Sequence, residues 1–180
     1  MNNQTQQRIL NIAHTALRNY FAGKMEVNDI EDDPELHRKS GVFVSIYVDG
    51  TLRGCIGHIE DDKPLSEIIA QMAVAAATKD PRFLPLTEDE FDHLTFEISV
   101  LSPFEAVKDP EEIIIGEHGL FIEAENARGL LLPQVAERYQ WTPDEFLRET
   151  CKKAGLPEDA YTREEVKISK FSAFVITETE

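Results

Sequence analysis

Apolar residues recur at helical spacing at the start of the chain, where Ile9, Ile12, Ala13, Ala16, Leu17 and Tyr20 are separated by polar positions. The pattern predicts an amphipathic helix over the first twenty residues, closed near Gly23. The acidic run NDIEDDPEL (residues 28–36) then reads as a solvated loop without the ligand spacing of a calcium loop. At Val42 the period changes to two. Val42, Val44, Ile46 and Val48 share a parity, Asp49-Gly50 is a strong two-residue turn, and TLRGCIGHI follows, so a β-hairpin is predicted. A regular turn sets Val48 opposite Thr51, Ile46 opposite Arg53 and Val44 opposite Cys55, with the cysteine on the valine face. Phe43, Tyr47, Leu52 and Ile56 make the other face apolar too, which predicts a strand covered on both sides and central in its sheet.

Helical spacing returns in Leu65, Ile68, Ile69, Met72, Ala73 and Ala76 after Pro64, and KDPRFLPL ends it. Thr87 with Glu90 has the form of a capping box for a short helix, and LTFEISVLS alternates as a strand with Glu97 and Ser99 on its polar side. EEIII reads as a short helix or strand start, and GLFIEA and GLLLP flank ENAR as a second hairpin. PQVAERYQ starts a helix. TPDEFLRETCKKAGL is the clearest helix: Thr142 caps it, Glu145 completes the box, two lysines close it and Gly155 stops it. VKISKFSAFVIT supplies one or two final strands. Helices and strands mix without βαβ alternation or a repeat, which predicts an α+β fold of one domain over residues 1–180, with a small subdomain from the central segments.

Composition narrows the functional classes. Thirty-four acidic residues against 18 basic ones give a formal charge of −16, which repels nucleic-acid phosphates and anionic lipid. No basic leader with an apolar block and no run of about 18 apolar residues occurs, so a cytoplasmic protein with no membrane association is expected. Two cysteines almost a hundred residues apart make a poor disulfide framework, and each needs its own explanation.

Cys55 lies two residues from Arg53 and between Gly54 and Gly57, glycines that permit a ligand or a second backbone to come close. A nearby cation favours a thiolate nucleophile; a small buried thiol beside packing glycines explains the same letters, and sequence chemistry alone favours the latter. Cys55 and His58 point to opposite faces of a straight strand, so no metal site is expected. Cys151 falls with Phe146, Leu147 and Ala154 as core filler. In KDPRF, Arg82 is suited to a carboxylate or phosphate with Asp80 orienting it, or the two form a rigid turn plugged by Phe83. Glu97 is a candidate acid or base if its face closes over the hairpin, and Gln134 a helix-start or site hydrogen-bonding group. Phosphate loops and nucleophile elbows are absent.

In order, LRGCIG, KDPRF, EISVLS, RGLLLPQVA, Trp141 and FLRETCKKAGL resemble the AMMECR1 domain family. The likeness is strongest to its stand-alone prokaryotic members of the AmmeMemoRadiSam system, which accompany a Memo-like protein and a radical SAM protein. The resemblance implies a largely antiparallel sheet packed by helices, with a smaller subdomain. It implies no established reaction and no cofactor. Its hallmark marks Arg53, Gly54, Cys55 and Gly57 as an active or binding site, with Arg53 and Cys55 in the catalytic roles. Asp80 and Arg82 fall in a second motif and Gln134 in a third, which suggests a shared binding cleft for an unidentified substrate or partner protein.

Overall fold

A computed structural model describes residues 1–24, 33–60 and 62–178. The chain divides into two compact units, Met1–Leu101 with Phe174–Glu180, and Ser102–Ala173. The α+β expectation holds: helices accompany two four-stranded sheets.

In the first unit, α1 (Asn3–Phe21) starts at Asn2, whose side chain accepts from the Thr5 N–H. Of the acidic run read as a solvated loop, residues 28–32 lie outside the described residues. The rest departs from that reading: Asp33 caps the short α2 (Pro34–His37), accepts from Thr5 and Arg8, and Leu36 is buried. The first sheet runs β2 (Thr51–His58), β1 (Val42–Val48), β3 (Leu94–Leu101), β8 (Ala173–Thr177). Val42, Val44 and Ile46 of β1 and Phe96, Ile98 and Val100 of β3 form one core with α1 and with α3 (Leu65–Thr78). Full burial of each such Ile, Leu or Val side chain contributes about 1.5–3 kcal/mol, so this layer dominates the unit's stability.

Two expectations about the hairpin are corrected. The strand β2 is an edge strand, since among the described residues its only neighbour in the sheet is β1. Its apolar content reflects α3 on one face rather than strands on both sides. The register also shifts between Ile46 and Tyr47: Tyr47 faces Leu52 and Ile46 faces Gly54, so Arg53 is the extra residue of a β-bulge. Beyond it parity is inverted. Cys55 lies opposite Ser45 rather than Val44, and Ile56 lies opposite Val44 on the core side. A regular turn could not reveal this, because a one-residue slip moves every later side chain to the other face.

The second unit holds the sheet β4 (Glu105–Ala106), β7 (Lys167–Phe171), β5 (Gly119–Ala124), β6 (Ala127–Leu131), with α4 (Pro133–Tyr139) and α5 (Pro143–Lys153). The β5–β6 turn is two residues shorter than ENAR, because Ala127 already pairs with Ala124. EEIII contributes a 3-10 turn, Pro110–Glu112. Helix α5 keeps its predicted box: the Thr142 N–H and hydroxyl donate to Glu145. The closing segment VKISKFSAFVIT supplies both β7 and β8, which belong to different sheets.

The α3–β2 contact depends on Gly54. A Cβ there would stand 2.0 Å from the Ala76 carbonyl oxygen of α3, a backbone atom that cannot swing aside. Gly54→Ala is therefore expected to lower unfolding stability by about 2 kcal/mol or more, as overpacking does. Equilibrium urea denaturation measures it, and an unchanged midpoint would mean that α3 can retreat from the strand at no cost.

Candidate functional site

Because β2 is an edge strand, the Cys55 backbone has no strand on its outer side among the described residues. Its N–H donates to Asp80 Oδ2 at 2.8 Å and its carbonyl accepts from Arg82 Nη2 at 3.3 Å. One side-chain pair thus takes the place of a missing strand at this residue, which also protects the edge. With both backbone groups turned outward, Cys55 and Ser45 form a non-hydrogen-bonded pair, the kind whose side chains approach closest. Ser45 Oγ–H donates to Cys55 Sγ at 3.3 Å.

Asp80 follows the end of α3, and its side chain is only 2% exposed. Besides Cys55, its carboxylate accepts from Arg82 N (3.1 Å), Nε (3.0 Å) and Nη2 (2.7 Å). Arg82, and then the Cys55 and Arg82 backbone N–H groups, hold this carboxyl far below the usual carboxylate range against the opposing effect of burial. The guanidinium lies 5.3 Å from the Phe83 ring centroid. The rigid-turn reading of KDPRF holds, with the aspartate–arginine pair in place and the guanidinium set beside the Cys55 backbone.

Arg53, the bulge residue, is engaged differently. Its Nε and Nη2 donate to Glu90 at 2.7 and 3.0 Å, and Nη1 donates to the Leu84 carbonyl at 3.3 Å. Glu90 also accepts from the Thr87 N–H and hydroxyl, so the predicted capping box holds, on a 3-10 helix, Glu88–His93. Arg53 first, then the Thr87 backbone, lower the Glu90 carboxyl from 4.5 to about 2.

Cys55, Asp80 and Arg82 are therefore joined by hydrogen bonds, and Arg53 flanks them on the same strand. The missing side chains of Gly54 and Gly57 are used in packing: the first lies under α3, and a Cβ on the second would stand 2.3 Å from the Phe43 ring. Glu97 is half-buried and faces Ser45 across β1, about 10 Å or two strand spacings from Cys55. Gln134 lies in the first turn of α4, in the other unit, outside this hydrogen-bonded cluster. No group of three metal-ligating side chains occurs among the described residues. His58 pairs with Asp62, and the hydrogen bond to the thiol comes from a serine rather than a histidine.

Ser45 and Glu90 were missed by sequence reasoning as neighbours of the site. Glu90 was visible only as a cap residue. Ser45, the one polar residue within VFVSIYV, carried a signal that the regular-turn register obscured.

Helices on one face of an antiparallel sheet, with the half-buried Cys55 on the other face and its backbone clamped by an Asp–Arg pair, define an α+β protein class. The chain matches the AMMECR1 family over residues 10–176. It is 45% identical to Protein MJ0810 of Methanocaldococcus jannaschii, over 93% of this chain and 87% of that one. Against Protein Ta0236 of Thermoplasma acidophilum the identity is 43%, over 95% and 86%. The crystal structure of the uncharacterized protein PH0010 from Pyrococcus horikoshii superposes with a TM-score of 0.90 at 37% identity, covering 97% of this chain and 92% of that one. The chain belongs to the AMMECR1 family.

The depressed Glu90 carboxyl predicts a pH effect. A carboxylate lowered on folding stabilises the native state above about pH 4.5, and that contribution is lost as pH falls towards 2. Glu90→Gln is expected to cost about 1–3 kcal/mol at pH 7, a charge-assisted bidentate contact, and progressively less below pH 4. Urea titrations at both pH values test it; a pH-independent difference would mean that the ion pair contributes nothing.

Proposed function

We propose that this AMMECR1-family chain is a component of a three-protein modification pathway, alongside Memo-like and radical SAM proteins, in which Cys55 acts as nucleophile or covalent carrier beside Arg53. The pathway reading is supported by the ordered motifs shared with the family. The thiol reading rests on one observation: Cys55 has its N–H and carbonyl held by Asp80 and Arg82 while its sulfur accepts from Ser45. A cysteine used as filler requires no such cage. Cys151 is the contrast, fully buried with Ile122 and Ala160, and burial pushes its thiol up. The charge of −16 and the absence of a membrane-crossing helix among the described residues support a protein or small-molecule partner in the cytoplasm over a nucleic acid or a membrane.

A second reading, a protein- or peptide-binding groove that makes no covalent bond, is favoured by the loop beside the site. Leu84 is 82% exposed there, while its carbonyl is fixed by Arg53. The two readings separate on thiol reactivity. Iodoacetamide at neutral pH is expected to modify Cys55 in the folded protein at least about a hundredfold faster than Cys151, which reacts only when its helix opens. Peptide mass spectrometry over time measures both, and equal inertness would remove the thiol reading in favour of the groove.

A further inference from the structure

The two arginines beside Cys55 differ in what they leave unused. A guanidinium carries five N–H donors in a fixed fork. In Arg53 all three nitrogens are engaged, two by Glu90 and the third by the Leu84 carbonyl. In Arg82, Nε and Nη2 are engaged by Asp80, and Nη2 also reaches the Cys55 carbonyl. Nη1 of Arg82 has no hydrogen-bond acceptor among the described residues, although it belongs to a side chain that is 57% exposed. It is not a loose surface cation, because the side-on contact with a buried carboxylate fixes the plane of the fork. The Cys55 side chain lies within its electrostatic reach: Asp80 chiefly, and to a lesser degree Cys55, raise the Arg82 guanidinium above its ordinary value.

From these contacts we infer that Arg82 is the anion-recognition residue of the Cys55 site, and that the molecule taken there carries a carboxylate close to its thiol-reactive carbon. Asp80 already neutralises the guanidinium overall, and the two remaining N–H donors diverge from the single nitrogen Nη1, so a singly charged carboxylate that accepts through one oxygen suits the position better than a dianion does. The rest of the chain opposes anions, with a formal charge of −16. A preference for an anionic reagent at Cys55 must then come from a cation within about a Debye length, roughly 8 Å at physiological salt. This inference rests on the thiol reading and adds the class of substrate to it.

The test compares iodoacetate with iodoacetamide on the full-length folded protein at fixed ionic strength. With either reagent the Cys55 thiolate forms an S–C bond as the C–I bond breaks and iodide leaves, so the two differ only in the carboxylate. The reference is the same rate ratio on a synthetic peptide of residues 49–60. The iodoacetate-to-iodoacetamide ratio at Cys55 is expected to exceed the peptide's by at least about threefold, the scale of one ion pair at a half-exposed position. Arg82→Gln should bring it to the peptide value or below, and Arg82→Lys should keep part of the excess. Circular dichroism checks that the variants fold; if Arg82→Gln does not, the comparison of the natural chain with the peptide decides alone. A ratio at or below the peptide's, with iodoacetamide still reacting, overturns the carboxylate inference and leaves the thiol reading standing. Inertness of Cys55 to both reagents overturns both.

Discussion

Asp80 is the residue on which the site depends. Its carboxylate, nearly sealed from water, accepts one hydrogen bond from the Cys55 backbone and three from Arg82. A buried charge is tolerated only when such partners surround it, and removing one leaves the others uncompensated. The contact ties the loop after α3 to the middle of β2, where a further strand would otherwise lie. Through it the backbone on both sides of the thiol is fixed, and so is the guanidinium that stands over that edge.

The hairpin supplies the other half of the geometry. The bulge at Arg53 and the close approach at Gly54 are adjacent, and they act in opposite directions on the sheet. Gly54 brings α3 within backbone contact on the core face. The bulge turns the next residue away from that helix, so Cys55 lies beside Ser45 rather than inside the apolar layer. Arg53 is then free to leave the ladder and pair with Glu90. The exclusion of Arg53 from the ladder therefore accounts for the face of the thiol and the position of its neighbouring cation together.

Much of this was legible in the letters. The longer helices, the presence of both hairpins and both capping boxes follow from periodicity and turn chemistry, whereas the letters alone favoured a small buried thiol at Cys55. What escaped was of one kind. The edge position of β2, the identity of the residue across from Cys55 and the Asp80 contact all depend on pairing between segments distant in sequence. Apolar letters on both parities suggested a central strand, yet after the bulge Ile56 turns inward and Leu52 does not, so the sheet is covered by helices on only one side. KDPRF was marked as unusual, but nothing in five adjacent letters says which backbone its aspartate will cap.

The bulge also makes the pairing of this hairpin as consequential as residue identity. A substitution at Arg53 would alter one side chain. Were Arg53 instead to join the ladder opposite Ile46, every letter would stay the same, yet the sulfur would turn towards the helical layer and Ile56 would turn out to water. The face of the thiol is thus set by pairing rather than by letters: a hairpin with the same hallmark but a regular ladder would not present it, whereas one lacking the bulge residue would keep Cys55 opposite Ser45.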